Sequence, residues 1–402
     1  MERERRRWPS APDLYREVTM PKLSENIQAL PASSTLAFNT KAAELKASGV
    51  DVIAMTAGEP DFQPPEHVIE AAREGLQLGL SKYTPSEGSL ALREAISRKF
   101  ARENDLNYVP DEIMVSTGGK QVLYNAFLAI LDPGDEVIVP APYWVSYPAQ
   151  IQLAGGVTVP AVTSPESGFL PDPEALRSLV TERTRAIVIN SPSNPTGAVY
   201  PPETIRAIAE IAEQNDLWII TDDLYEHLIY EGEFTSAATY ARENTLIVNG
   251  ASKAYALTGW RIGYGAGPRG LIKAMNRLQG QVTSGANSLA QHAVVAALDE
   301  HEKTAQFIER TRAAYRERRD TLVTGLNEMG FATPMPQGAF YAMANITPLD
   351  PDEGKAAIRL LEEAHVAVVP GTDFLARGQV RFSYATSLEN VQEALERIRR
   401  LV

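Results

Sequence analysis

Between residues 66 and 300, short apolar runs alternate with stretches whose apolar positions recur every three to four residues. Runs at 113–116, 136–140, 157–162, 186–191, 218–221, 246–249 and 261–266 predict strands. Several are continuous in Val and Ile, the pattern of a strand covered on both faces. Helical spacing over 90–103 and 202–215 separates them. Such alternation predicts an α/β domain built on a mostly parallel seven-stranded sheet between helices.

The pattern changes after residue 301. A long amphipathic helix is expected over 301–329, stopped by Gly330. Alternating segments follow at 338–346, 367–369 and 380–384. A closing helix then carries Val391, Leu395 and Ile398 on one face, with Thr386 and Glu389 spaced as a capping box. We expect a smaller α+β domain from residues 20–65 plus 301–402, beside a large domain over 66–300. Ligands favour the cleft between two such units. Residues 1–19 are charged, carry Pro9 and Pro12 and lack a sustained period, which predicts a disordered extension, and Met20 is a second candidate start.

Charge and cysteine content narrow the function classes. With 38 Lys and Arg against 51 Asp and Glu, the net charge of −13 repels nucleic acid and anionic membranes. A local cluster of Arg and Lys can still hold an anionic small molecule in a cleft. There is no cysteine, which excludes disulfides and thiolate metal sites and fits a reducing cytoplasm. The longest strongly apolar stretch, 122–131, is about ten residues, against ~20 for a membrane span. Residues 1–7 lack the apolar core of a signal peptide. A soluble, cytoplasmic protein is expected. The five histidines show no metal-ligand spacing, and no Gly-x-Ser-x-Gly elbow occurs.

The chemistry gathers around Gly250-Ala251-Ser252-Lys253-Ala254-Tyr255-Ala256-Leu257-Thr258-Gly259-Trp260-Arg261-Ile262-Gly263. Alone, Lys253 can also be read as a surface-loop lysine. Its small neighbours, however, let a bulky group approach the backbone, and Arg261 offers a rigid fork to a phosphate. Buried lysines lose affinity for the proton and act as Schiff-base nucleophiles. The glycines at 263, 265, 267 and 270 run into Pro268 and do not open a dinucleotide-binding helix.

This stretch resembles the lysine signature of the class I aminotransferases, fold type I pyridoxal-phosphate enzymes, and within them the bacterial aspartate aminotransferase subgroup. The resemblance runs from about Leu23 to Val402. It continues at Gly58-Glu59-Pro60-Asp61-Phe62, Tyr83-Thr84-Pro85-Ser86-Glu87-Gly88, Ser193-Asn194-Pro195-Thr196-Gly197, Asp222-Asp223-Leu224-Tyr225, Gly338-Ala339-Phe340-Tyr341 and around Arg381. It implies pyridoxal 5′-phosphate held as a Schiff base on Lys253. It implies Asp222 against the pyridine nitrogen, with Asp223 the weaker rival, and Tyr225 with Asn194 at the phenolic oxygen. Thr117-Gly118-Gly119-Lys120, between a strand and the helix 121–131, is placed to hold the phosphate with Arg261. Trp144 matches the aromatic that stacks on the coenzyme, or else is a core aromatic. Arg381 and the backbone of Gly58 would take the substrate α-carboxylate. Tyr83 resembles a tyrosine that reaches the phosphate of a neighbouring subunit, which implies a homodimer with shared sites.

The implied activity is ping-pong transamination between amino acids and 2-oxo acids, L-aspartate and 2-oxoglutarate foremost. Lys120 would take the distal carboxylate, or neutralise phosphate, with Ser34 and Thr35 nearby. Relatives that accept prephenate carry a lysine where this chain has Pro31, so only weak prephenate use is expected. Other amino donors, a fold type I lyase and a non-catalytic ligand-sensing domain are the alternatives. The last usually follows a DNA-binding domain; about twenty residues precede the resemblance here and the net charge is −13, so this alternative is not expected.

Overall fold

The computed structural model describes residues 21–30 and 34–402, with side chains from residue 37 onward in the second stretch. The expectation for residues 1–19 and the comparison at Pro31 lie outside the described residues, as do the side chains of Ser34 and Thr35. The described residues fall into two units, 21–30 and 34–402. The first shows one helical turn, Glu25–Gln28.

The second unit contains strands β1 (Ile53–Ala54), β2 (Ile113–Ser116), β3 (Glu136–Ala141), β4 (Val157–Val162), β5 (Thr184–Asn190) and β6 (Trp218–Asp222). They are followed by β7 (Thr245–Gly250), β8 (Gly263–Ala266), β9 (Tyr341–Asn345), β10 (Val366–Ala367), β11 (Val369–Pro370) and β12 (Gln379–Ser383). Seven of them form one sheet in the order β2-β8-β7-β6-β5-β3-β4. Neighbours run parallel except at β8, which is antiparallel to both β2 and β7. Strands β2, β3 and β7 are buried along their whole length. Helices cover them, so no polar face is needed and the runs stay apolar. Parallel strands present their carboxyl ends at one edge of the sheet, where ligands collect. Here that edge carries Asn190, Asp222 and Gly250, the last residues of β5, β6 and β7.

Beyond residue 300 the helix His301–Glu328 leads to an antiparallel sheet ordered β11-β12-β9. Strand β1 pairs in parallel with β10, Ile53 opposite Val366. Tyr341, Phe382, Leu322, Leu360 and Ile398 share one core there and are fully buried. Each such side chain adds roughly 1.5–3 kcal/mol of burial.

The local expectations shift in three places. The expected strand 261–266 begins only at Gly263, because Arg261 takes left-handed backbone, φ 57°. The expected strand 367–369 splits about Val368, with β10 pairing to β1 and β11 to β12. The closing helix Leu388–Arg399 is capped by Ser387, whose hydroxyl accepts from the Asn390 amide at 3.2 Å, not by Thr386. Two hydroxyl residues stand side by side, and backbone geometry decides which one points into the first turn.

Candidate active site

Asp222 ends β6 and is 5% exposed. Its Oδ2 accepts from the Tyr147 hydroxyl at 2.6 Å, and its Oδ1 accepts from the Leu224 amide at 3.4 Å. Burial pushes this carboxyl up to about 6, against the pull of the Tyr147 hydroxyl, the Leu224 amide and the Lys253 charge. Asp223 lies in other surroundings. It accepts from Thr221 Oγ1 at 2.5 Å and from Ser236 Oγ at 2.9 Å, and burial raises it to about 8. Successive positions at a strand end turn to opposite faces. One carboxyl therefore meets Tyr147 and the Lys253 charge, and the next meets two hydroxyls.

Lys253 sits in the turn after β7, half-buried. Its amine donates to the Gly58 carbonyl and lies 5.8 Å from the Tyr225 ring centre and 5.9 Å from that of Phe340. Burial lowers its pKa to about 8, with Asp222 and Glu59 opposing that shift while Arg381 and Arg261 add to it. A neutral amine is thus accessible close to physiological pH.

The helix Gly119–Ile130 starts from Gly118, whose φ of 85° suits glycine alone. A Cβ on Gly118 would run into the Arg261 guanidinium, and one on Gly263 into the Gly118–Gly119 backbone. The helix N-terminus and a cation fixed over it, with Arg261 Nη1 bonded to the Thr258 carbonyl at 2.8 Å, suit a small anion. Lys120, in the first turn, holds its amine 4.9 Å from the Trp144 ring centre. Burial and then the Arg261 charge lower its pKa.

Arg381, on β12, is 3% exposed. Nη1 donates to Asn194 Oδ1 at 2.9 Å and Nη2 to the Thr56 carbonyl at 3.0 Å, while the buried Nε has no partner. The guanidinium lies 4.5 Å from the Tyr341 ring centre, and the Tyr341 hydroxyl is 3.0 Å from that of Tyr225. A Cβ on Gly58 would meet the same Tyr341 hydroxyl at 3.2 Å.

The fold thus gathers Gly58, Asn194, Asp222, Tyr225, Lys253 and Arg381, with Arg261 against the Gly118–Gly119 helix start, a candidate anion cradle, and Lys120 beside the Trp144 ring. Tyr83 stands apart, 96% exposed. Thr35 has no described side chain. Three neighbours of these groups were given no role from the sequence: Tyr147, Tyr341 and the Thr56 carbonyl. Tyr341 closes the Gly338–Tyr341 motif and Tyr147 follows Trp144 by one helical turn, so both carried a signal; a backbone carbonyl carries none. A second cluster brings ligand atoms of Glu103, Glu226 and His227 within 4.8 Å, which linear spacing also hides. The ammonium of Lys99 is already bonded to Glu226 there.

Residues 50–398 match the family model for aminotransferase class I and II. The chain is 54% identical to the aspartate/prephenate aminotransferase of Thermus thermophilus, over 94% of this chain and 98% of that one. It is 45% identical to the aspartate aminotransferase of Bacillus subtilis, over 95% and 99% respectively. The solved aspartate aminotransferase from Thermus thermophilus with maleate superposes with a TM-score of 0.94, covering 95% of this chain and 100% of that one at 54% identity. With an α/β fold of that kind and a match running almost end to end, the chain belongs to the class I and II aminotransferases.

Proposed function

We propose that this aminotransferase moves the amino group of L-aspartate to 2-oxoglutarate, giving oxaloacetate and L-glutamate by a ping-pong course with pyridoxal 5′-phosphate as coenzyme. The observation that carries it is the buried Arg381, with an unpartnered Nε, sharing one site with Lys253 and Asp222. The residues fit the coenzyme. Arg261 over the Gly118–Gly119 helix start would hold a phosphate, Asp222 a protonated ring nitrogen, Tyr225 and Asn194 the phenolic oxygen, and Trp144 the ring face. Lys253 would attach it covalently. When bound, the coenzyme supplies an electron sink that acidifies the substrate Cα.

The chain's own groups do the rest. Arg381 orients the α-carboxylate, with a fork that a lysine lacks. Lys253 Nζ, which gives up its ammonium proton near pH 8, would take the proton from the substrate Cα and hand it to the coenzyme carbon that afterwards carries the amino group. The amino group stays on the enzyme between departure of the first 2-oxo acid and entry of the second. Lys120 supplies a second cation for a distal carboxylate, in keeping with the maleate, a dicarboxylate, bound by the Thermus thermophilus protein.

The exposed Tyr83, with Leu76 and Leu78 at 65% and 62% exposure, supports a homodimer with shared sites. A fully active monomer in analytical ultracentrifugation would exclude it. We keep the division into a large domain, 66–300, and a smaller one drawing on both chain ends, supported by the β1–β10 pairing. A cytoplasmic location accords with the cysteine-free, acidic chain; among the described residues no helix is long and apolar enough to cross a membrane.

A panel of amino donors with 2-oxoglutarate, read as glutamate formed, tests the substrate assignment. Aspartate should exceed alanine and tyrosine in kcat/KM by at least about tenfold, a single charge-assisted contact. Prephenate as acceptor should be weak, given Pro31, although the Thermus thermophilus relative bears prephenate in its name. Alanine or tyrosine outrunning aspartate would overturn the dicarboxylate reading.

A further inference from the structure

We propose that Tyr147 is a positioning residue for Asp222, its hydroxyl holding one carboxylate oxygen so that the carboxylate stays ionised and aimed at the coenzyme. This rests on the assignment of Asp222 made above.

Tyr147 is 1% exposed, and its hydroxyl stands 2.6 Å from Asp222 Oδ2. That is the length of a charge-assisted O–H···O⁻ bond. The other donor to Asp222, the Leu224 amide, is at 3.4 Å and weaker. A buried carboxylate without donors takes up a proton. A neutral acid would give up the ion pair that keeps a ring nitrogen protonated.

The surroundings make the phenol a donor only. Burial, then the charge and hydrogen bond of Asp222, push its own ionisation far above the ordinary range. Lys253 also favours the ionised Asp222. Asp223, which burial raises to about 8, is held by Thr221 and Ser236, and Tyr225 and Tyr200 are the other titratable groups around Tyr147.

The helix Ser146–Leu153 holds the tyrosine in place from both ends. One turn on, Gln150 Nε2 donates to the Lys120 carbonyl at 2.8 Å. Just before the helix starts, the Trp144 ring packs edge-on against Tyr147, with centres 5.4 Å apart at 86°. The same helix therefore touches the Gly119–Ile130 helix start, the Trp144 ring beside it and the acid. Tyr147→Phe removes one oxygen atom and none of this packing.

The test compares wild type, Tyr147→Phe, Asp222→Ala and the double variant. For Tyr147→Phe, apoenzyme affinity for pyridoxal 5′-phosphate at pH 7 should fall about tenfold, and the acid limb of that affinity should move up by about one pH unit. In the holoenzyme kcat should fall about ten- to hundredfold, with the aspartate KM within about twofold of wild type. In the Asp222→Ala background Tyr147→Phe should add nothing. An unchanged acid limb in a folded Tyr147→Phe protein, or additive losses in the double variant, would overturn the role of Tyr147. No effect of Asp222→Ala itself would remove the assignment beneath it, so the two failures are distinct. If Tyr147→Phe does not fold, fluorotyrosine at position 147, a stronger donor, should move the acid limb down, and a limb that stays put overturns the proposal.

Discussion

Arg381 Nη1 donates to Asn194 Oδ1 across 2.9 Å, joining residues 187 positions apart in the chain. The bond fixes one corner of the fork and leaves Nε, buried and without a partner, for a ligand. The proposed carboxylate site and the contact proposed at the phenolic oxygen are thus joined by one hydrogen bond.

Arg381→Lys keeps the charge but loses both the fork and the Asn194 bond. We expect kcat/KM for aspartate to fall by about 1.5–3 kcal/mol, roughly ten- to hundredfold. Steady-state kinetics at wild-type level would remove Arg381 from carboxylate binding.

Lys253→Ala should abolish turnover and covalent retention of the coenzyme through dialysis. In the wild-type apoenzyme, capture of pyridoxal 5′-phosphate should speed up as pH rises through about 8, where the amine loses its proton. The folded amine releases its proton at a lower pH than the unfolded one. Between pH 8 and the ordinary lysine value the unfolded chain therefore binds more protons, and apoenzyme stability should rise with pH. Stopped-flow absorbance and melting curves read the two effects, and a stability slope surviving in Lys253→Ala would assign it to another group.

Lys120→Ala should raise the KM for aspartate far more than that for alanine, by about 1.5–3 kcal/mol for a lost charge-assisted contact. Equal losses for the two donors would place Lys120 on the phosphate.

Lys99 and Glu226 form a buried ion pair, 0% and 5% exposed. Asn104 and Asn249 also donate to Glu226, at 2.9 and 2.7 Å. Lys99→Met strands the carboxylate and should cost about 3–5 kcal/mol in chemical denaturation. Despite burial, Lys99 and His227 hold the folded Glu226 down to about 2. Its contribution is therefore complete above the ordinary glutamate value and lost as pH falls towards 2. A wild-type acid-unfolding curve in Lys99→Met would contradict this.

By itself the sequence determined the α/β order, the mostly parallel sheet and the main chemical groups. Continuous Val and Ile runs are unambiguous when both faces of a strand are covered. Lys253, Asp222 and Arg261 stand at strand ends or in Gly-rich turns, where local composition announces a close approach. Gly118 was legible for the same reason, as one of two glycines between a strand and a helix, and its φ of 85° calls for glycine there.

Only the tertiary structure decided which neighbours these groups meet. That Asp222 faces Tyr147 while Asp223 faces Thr221 and Ser236 depends on which side of β6 is which. Alternation along the strand leaves that choice open. The bonds Tyr225–Tyr341 and Lys99–Glu226 span 116 and 127 positions. No periodicity encodes such pairs, because sheet order and helix packing set them. The splitting of 367–369 has the same origin: Val366 and Val369 find partners in different sheets. Local propensity reads as strand through all three residues, and hydrogen-bond partners far away in the chain decide where one strand ends and the next begins.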